Sequence, residues 1–367
     1  MATPLKAYYD DTFFDYFIAS FREVDPTLDG EKFKRDVYAG AWERLELKER
    51  MRRAADVLAA HLPADFALAA PYLIRHTDRW HRTGRRGFGL QLLFLGDFVE
   101  RYGLHDVETS IRVIEKITTL GSAEFAVRPF LNRYPDRMAE QMERWSNHPD
   151  ESVRRLSSEG YRPRLPWGLA VPRLKKDPAP VLRVLETLKN DPSETVRRSV
   201  ANNLNDIGKD HPETVVELLF RWKTQHPETE KIVKHAARTL LKRGHPGALA
   251  LFGSGSSEYL ALTVTRGIDP ETAVGGTQAF AFDVRHTGPA EQKIRVEYVI
   301  YFLLKNGQHG RKVFFVTEKT LPPGGGTHIK KSHTFRPITT RIYYPGIHRM
   351  AVLLNGKEYA LGTFELK

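Results

Sequence analysis

Three carboxylates and one tryptophan stand out because they lie in a stretch that is otherwise rich in arginine and lysine. They are Glu124, Glu159, Asp206 and Trp167. Carboxylates can stabilise positive charge that develops on a sugar and can orient an attacking water molecule, as in glycoside hydrolysis. The face of a tryptophan ring attracts a cation by about 1 kcal/mol. Together these residue types would suit cleavage of a glycosidic bond.

Each of these residues also has an ordinary structural explanation. Glu124 follows Ser122, a candidate N-cap, and an acidic residue there would be favoured by the helix dipole. Glu159 and Asp206 could pair with nearby arginines, and Trp167 could pack between helices. For each residue taken singly, the ordinary explanation is favoured over the chemical one, whereas the acids and the tryptophan taken together, within a basic surface, match the chemical one.

An internal repeat provides the elements that position these residues. In each copy a Pro and an acidic residue precede Val-Arg-Arg, and small and apolar residues then recur at helical spacing. Val153 and Val196 are 43 positions apart, and Val196 and Ile232 are 36 apart. Periods of this length are typical of paired-helix repeats of the HEAT or armadillo kind. The copies are HPDESVRRLSSEGYR at 148–162, NDPSETVRRSVANNLND at 190–206 and the weaker HPETEKIVKHAARTLLKRG at 226–244.

The residue pattern changes after the repeats. Gly253-Ser-Gly-Ser-Ser257 has the composition of a flexible linker. About seven short runs of β-branched and aromatic residues follow, separated by Gly, Pro and Asn turns, which predicts an antiparallel sandwich of immunoglobulin type. We therefore expect a mainly α fold, a HEAT-like helical repeat solenoid at 1–252, then a linker at 253–257 and an all-β immunoglobulin-like sandwich at 258–367.

Charge and composition limit the partners and the compartment. The net charge of +11 favours a polyanionic partner, and residues 258–367 are the more basic part, with 15 Lys and Arg against 9 Asp and Glu. The chain has no cysteine, which excludes disulfides, thiolate catalysis and Cys-ligated zinc and suits a reducing cytoplasm. Without a secretory signal or a run of 18 apolar residues, we expect a cytoplasmic protein of the bacterial nucleoid with no membrane partner.

Arginines recur at equivalent places in the repeat, which favours one shared basic surface. Solvated helix faces and salt bridges within a repeat are the ordinary alternative. A basic solenoid surface would hold a duplex through its phosphates, and the carboxylates would then lie beside deoxyribose, where they could assist hydrolysis of an N-glycosidic bond. The arginines that we expect to bind DNA are Arg154, Arg155, Arg162, Arg197 and Arg198.

Three phrases resemble the DNA alkylation repair glycosylases of the HEAT-like repeat family: SAEFAVRPFL, HPDESVRRLSSEGYRPRLPW and DPSETVRRSVANNLNDIGKDHPE. The appended C-terminal sandwich is similar to the AlkC type within that family. The resemblance implies a monofunctional glycosylase that excises N3-alkylated bases, chiefly 3-methyladenine and 3-methylcytosine, from double-stranded DNA. It also implies that the damaged nucleotide is not rotated into a deep pocket.

The same resemblance implies roles for individual residues. Glu124, Glu159 and Asp206 would surround the sugar of the lesion as catalytic residues. Trp167 would lie beside the damaged nucleotide, and Arg155 would contact the DNA backbone. A cationic base such as N3-methyladenine leaves with little acid assistance, so this chemistry needs no general acid, and we expect no cofactor.

Other functions stay open at this point. A non-enzymatic HEAT-repeat scaffold could bind DNA or protein without chemistry. A bifunctional glycosylase and lyase would form a Schiff base through a lysine. A metal site could use His76 and His81, but their five-residue spacing and the lack of matched acids argue against it, and we expect no metal. We expect the protein to be a monomer.

Overall fold

The computed structural model describes residues 3–84, 87–223, 226–338 and 341–367. Within these residues sixteen α-helices precede eight β-strands. The predicted order of a mainly helical repeat part followed by an all-β sandwich is therefore confirmed. No helix in the described ranges is both long enough and apolar enough to cross a membrane.

The helices follow one another from residue 11 to residue 251. They are α1 (Asp11–Arg22), α2 (Gly30–Tyr38), α3 (Leu47–Ala60), α4 (Phe66–Arg82), α5 (Leu93–Tyr102), α6 (Val107–Ile117), α7 (Val127–Arg133), α8 (Pro135–Trp145), α9 (Glu151–Glu159), α10 (Pro172–Lys176), α11 (Ala179–Leu188), α12 (Glu194–Ile207), α13 (Pro212–Trp222), α14 (Pro227–Ala236), α15 (Arg238–Lys242) and α16 (Pro246–Leu251).

Contacts divide the chain into two compact units. The first comprises Met1–Asp210 with Gln225–Ala236, and the second comprises His211–Thr224 with Ala237–Lys367. Helices α13, α15 and α16 thus belong to the same unit as the strands. This division runs through the helical part, and the domain limits 1–252, 253–257 and 258–367 stay a prediction.

Aspartates fix where several helices of the first unit begin. In each case the carboxylate accepts a hydrogen bond from a backbone N–H of the first turn, which satisfies a donor that would otherwise lack a partner. Such a cap contributes about 1 kcal/mol to helix stability. The caps are Asp10 of α1, Asp29 of α2, Asp65 of α4, Asp106 of α6 and Asp150 of α9.

The three copies of the repeated phrase form neighbouring helices. Most of the first two copies forms α9 and α12, the third copy begins with α14, and α12 packs against both of the others. Val153, Val196 and Ile232, which occupy the same position in the three copies, are all buried. The repeat therefore places corresponding residues side by side along one row of helices, and α9 and α12 of this row carry part of the candidate site.

The second unit contains two sheets with an apolar core. One sheet has the order β1-β3-β6, and the other has the order β2-β8-β7-β4-β5. All pairings are antiparallel except that of β2 with β8. The strands are β1 (Leu260–Arg266), β2 (Glu271–Thr272), β3 (Thr277–His286), β4 (Gln292–Leu303), β5 (His309–Leu321), β6 (Gly326–Thr334), β7 (Gly346–Leu354) and β8 (Lys357–Leu366).

The seven predicted strands correspond to the seven long strands. Many of their apolar side chains, among them Phe282, Ile294 and Val352, form one buried cluster, and a smaller second cluster includes Val299 and Val313. Strand β2 was not predicted because two residues are too few to show an alternation of apolar and polar side chains.

Candidate active site

A groove of about 700 Å³ in the first unit brings together most of the residues singled out from the sequence. Its lining includes Glu124, Arg155, Glu159, Arg162 and Trp167. These side chains come from the turn before α7, from α9 and from the segment after α9. Glu124 and Trp167, 43 positions apart in sequence, thus share one groove. The groove also has apolar walls, formed in part by Leu90, Leu93, Phe125 and Leu165.

Glu124 lies in the turn before α7, three residues ahead of its first residue. Its Oε2 accepts a hydrogen bond from Ser122 and another from Arg155 Nη1 at 2.9 Å. The same Nη1 also donates to Ser122 Oγ at 2.9 Å. Because Glu124 precedes the helix and points to Arg155, its partner is this arginine rather than the helix N-terminus.

Glu159 and Asp206 share Arg162 as their partner. Glu159, the last residue of α9, accepts from Arg162 Nη1 through Oε1 at 2.6 Å and from Ser199 through Oε2 at 2.6 Å. Asp206 on α12 accepts from Arg162 Nε through Oδ2 at 2.8 Å and from Lys209 through Oδ1 at 2.8 Å. All four carboxylate oxygens of this pair therefore have a donor, which fixes their orientation.

Asp206 is the predicted catalytic residue that does not line the groove. It is 2% exposed. Its link to the groove is its hydrogen bond to Arg162, which does line the groove. Arg162 itself is 8% exposed. Burial lowers the pKa of the Arg162 guanidinium, but the charges and hydrogen bonds of Glu159 and Asp206 outweigh burial and leave that pKa above its ordinary value.

Trp167 is exposed at the groove in an unusual backbone conformation. Its φ is 63°, in the left-handed region, and the residue is 64% exposed. A non-glycine residue held there costs about 1 to 3 kcal/mol and is typical of functional sites. An interhelical packing role does not fit this exposure, whereas the other four tryptophans, Trp42, Trp80, Trp145 and Trp222, are buried.

The two arginines of each Val-Arg-Arg have different surroundings. Arg154 donates to Asp191 at 2.6 Å and to the carbonyls of His148 and Pro149. One repeat later Arg197 makes the equivalent set of bonds, to Glu228 and to the carbonyls of Asp191 and Pro192. The first arginine thus joins its own repeat to the next.

The second arginine of each Val-Arg-Arg has fewer partners within the protein. Arg155 lines the groove beside Glu124, and Arg198 pairs with Glu194 at 2.8 Å on an exposed surface. All five arginines that we expected to bind DNA therefore have partners within the chain in this structure. Their binding to DNA stays a prediction.

Some residues of the site were not singled out from the sequence. Ser199 donates to Glu159, Lys209 donates to Asp206, and Arg128 donates to backbone carbonyls of the segment after α9. Ser199 and Asp206 are seven residues apart on α12, so they share one helix face, and this spacing was the signal that could have identified Ser199. No sequence spacing could have identified Arg128 in this way, because its partners are backbone carbonyls of the segment after α9.

The two histidines considered as metal ligands lie in different environments. His76 is buried against the rings of Phe17, Phe21 and Trp80, whereas His81 is exposed and contacts Thr119 Oγ1 at 2.7 Å. In the part of the chain that the structure describes, no group of three or more His, Cys, Asp or Glu residues could hold a metal ion.

Comparison with protein families gives the assignment. A family model described as "DNA alkylation repair enzyme" matches residues 35–241, more than half of the chain. This chain belongs to the DNA alkylation repair enzyme family. A second family model, "Uncharacterised protein YhaZ, C-terminal Ig-like domain", matches residues 264–367, in agreement with the observed sandwich. The resemblance inferred from the central phrases is therefore confirmed.

Two relatives are similar to this family member over nearly the whole chain. It is 39% identical over 353 residues to "Uncharacterized protein YhaZ" of Bacillus subtilis (strain 168), with 96% of each chain covered. It also matches the solved structure of Pseudomonas fluorescens alkylpurine DNA glycosylase AlkC bound to DNA containing an abasic site analog. That match covers 100% of both chains at 35% identity and a TM-score of 0.88.

Proposed function

We propose that this chain is a monofunctional DNA glycosylase that hydrolyses the N-glycosidic bond of N3-alkylated bases in duplex DNA. The observation that carries the proposal is the groove that joins Glu124 and Glu159 to an exposed Trp167. The similarity to a solved structure described as an alkylpurine DNA glycosylase bound to DNA supports the same activity.

In the proposed reaction the bond between C1′ of deoxyribose and the base nitrogen breaks, and its electron pair goes to the base. An N3-alkylated adenine carries a positive charge, so this electron pair leaves it neutral and no general acid is required. Positive charge then develops on the sugar. Glu159 and Glu124 would stabilise that charge and orient the water that adds to C1′, and one of these two carboxylates would accept the proton that this water loses.

Asp206 would complete the charge balance of this site. Because its Oδ2 accepts from Arg162, it offsets a cation that would otherwise oppose the positive charge on the sugar. In this structure Asp206 does not line the groove, so it would influence the charge there through its hydrogen bond with Arg162.

Trp167, Arg155 and Arg198 would bind the substrate. Trp167 offers a ring on which a cationic base can stack, a contact that is worth about 1 to 3 kcal/mol. Arg155 and Arg198 would contact phosphates, whereas Arg154, Arg162 and Arg197 would keep the protein's own carboxylates in place. The exposure of Trp167 supports binding at an open groove, without rotation of the nucleotide into a deep pocket.

Base release tests this proposal. Duplexes that contain 3-methyladenine, 3-methylcytosine or 7-methylguanine are incubated with the protein, and free base is separated by chromatography. We expect release of the N3-methylated bases and less release of 7-methylguanine. Binding to the duplex without any release would favour a DNA-binding scaffold. A covalent adduct trapped by borohydride would favour the lyase alternative.

A further inference from the structure

The segment from Gly160 to Ala170, which carries Trp167, is held by side chains of other helices. Arg128 on α7 donates through Nη1 to the carbonyls of Gly160 at 3.0 Å and Arg162 at 2.6 Å. Its Nε donates to the carbonyl of Leu169 at 2.7 Å. One guanidinium therefore binds the beginning and the end of the segment at the same time.

Arg128 is an unusual cation because it is 1% exposed. Among the described residues no carboxylate lies within 4.0 Å of its guanidinium, so backbone carbonyls are its partners. Burial, with a smaller contribution from Arg162, lowers its pKa to about 10, although Asp206 raises it. A buried charge is costly unless it is fully hydrogen-bonded, so the three carbonyls must keep their positions around it.

Two further side chains act on the same segment. Asn132, one helical turn after Arg128, donates to the carbonyl of Ala170 at 3.0 Å, and Lys48 on α3 donates to the carbonyl of Trp167. Within the segment the backbone bonds to itself from Gly168 N–H to the carbonyl of Leu165 at 3.1 Å. Donors from other helices therefore outnumber this local contact in fixing the segment.

We propose that Arg128, with Asn132 beside it on α7, is a positioning residue that sets the placement of Trp167 and Arg162. The planar guanidinium reaches three carbonyls in two directions, which a lysine ammonium on a flexible chain cannot reproduce. Arg162 in turn contacts Glu159 and Asp206, so displacement of the segment would disturb the ring and the carboxylates together. The effect on base excision rests on the proposed function.

Substitution of Arg128→Lys with fluorine NMR tests the proposal. In protein labelled with 5-fluorotryptophan, Trp167 is the exposed tryptophan among five, and Trp167→Phe assigns its resonance. We expect R128K to shift and broaden the Trp167 resonance while the four buried tryptophans keep theirs. The kcat for base release should fall on the order of tenfold to a hundredfold, with a smaller change in KM, since misplacement by about 1 Å can have that effect.

Arg50→Lys is the matched control. Arg50 is also a buried arginine and donates to the carbonyls of Lys6 and Leu45, but it pairs with Glu43 as well and does not line the groove. R50K should leave the Trp167 resonance unchanged. A folded R128K with the resonance and kcat of the unsubstituted protein would overturn the proposal.

Asn132→Ala provides the second test. It shows whether side chains of α7 position Trp167 even if R128K does not fold. Asn132 is exposed, and its loss should shift the Trp167 resonance less than R128K does. An unchanged resonance in N132A, with R128K unfolded, would count against the proposal. If the unsubstituted protein releases no base, the glycosylase assignment fails, but the NMR comparison still decides whether Arg128 positions Trp167.

Discussion

At the residue scale, the groove combines two fixed carboxylates with one exposed ring. Both oxygens of Glu159 accept a hydrogen bond, and Glu124 is held by Ser122 and Arg155. Charged groups that are held in advance lose little free energy to reorganisation when positive charge develops next to them. Trp167 differs because its side chain is exposed while its backbone is constrained.

Substitution of Trp167→Gly should separate the function of the ring from protein stability. Glycine adopts a φ of 63° without strain, so we expect an unchanged or slightly higher Tm. Loss of the ring should raise KM for a 3-methyladenine duplex by about fivefold or more, which corresponds to about 1 kcal/mol of stacking. Thermal unfolding and steady-state base release measure the two effects.

Trp167→Phe is the control, because it keeps an aromatic face and should retain most of the affinity. A W167G protein with unchanged KM would show that the ring does not bind substrate.

At the element scale, the repeat assigns different tasks to adjacent arginines. Arg154 and Arg197 each connect a helix to the loop before it and to a carboxylate of the next repeat. Arg155 instead faces the groove. The helical period explains this division, since successive residues point about 100° apart around a helix.

Arg154→Ala and Arg155→Ala form a matched pair one residue apart. R154A leaves the buried Asp191 without its guanidinium, so we expect a loss of about 3 to 5 kcal/mol in the free energy of unfolding. R155A removes a partly exposed pair and should lose less than about 1 kcal/mol, but it should slow base release. Denaturant unfolding and single-turnover excision give both quantities. The assignment would be wrong if R155A were the less stable variant or if R154A, measured while folded, had the lower activity.

Sequence periodicity predicted the helices and strands better than it predicted the ion-pair partners of individual charged side chains. The repeated Val-Arg-Arg phrase predicted the row of α9, α12 and α14, and alternation predicted the long strands. Glu124, Glu159 and Trp167 were also expected near one another, and they line one groove. The binding of Arg162 to DNA stays a prediction, and in this structure Arg162 lies between two carboxylates, one of them 44 residues away on a neighbouring helix. The pair with Glu159, three residues away, is local and was one of the ordinary explanations considered, whereas the pair with Asp206 depends on how the helices pack.

At the scale of the whole molecule, each compact unit contains a histidine whose protonation is opposed by its surroundings: His76 is buried, and His333 is half-buried. Burial lowers the pKa of His76 in the first unit to about 3, and burial, with Arg341, lowers that of His333 in the second unit to about 4. Each ring has a nitrogen without a hydrogen-bond partner among the described residues. Both histidines therefore favour the neutral form in the folded protein.

Stability should consequently fall as the pH is lowered. An unfolded histidine binds a proton near pH 6.5. Because the folded pKa values are lower, the unfolded state binds more protons below that pH. Between about pH 6 and pH 4 His76 should cost up to about 1.4 kcal/mol of unfolding free energy per pH unit, and the half-buried His333 should cost less because solvent screens its charge. Urea unfolding at several pH values measures this slope, and His76→Leu should reduce it for the first unit. An equal slope in H76L would show that His76 is not the group responsible.

Base release under single-turnover conditions, for the unsubstituted protein and Glu159→Gln, tests the central claim most directly. Both proteins are mixed in excess with a duplex that contains one 3-methyladenine, and duplex binding is followed by fluorescence anisotropy. We expect release by the unsubstituted protein and a rate about 10² to 10³ times lower for E159Q, as for removal of one group that stabilises transition-state charge. The Kd for the duplex should change by only a few-fold. Tight binding without release by the unsubstituted protein, or release by E159Q at the unsubstituted rate, would contradict the assignment of this groove as the active site.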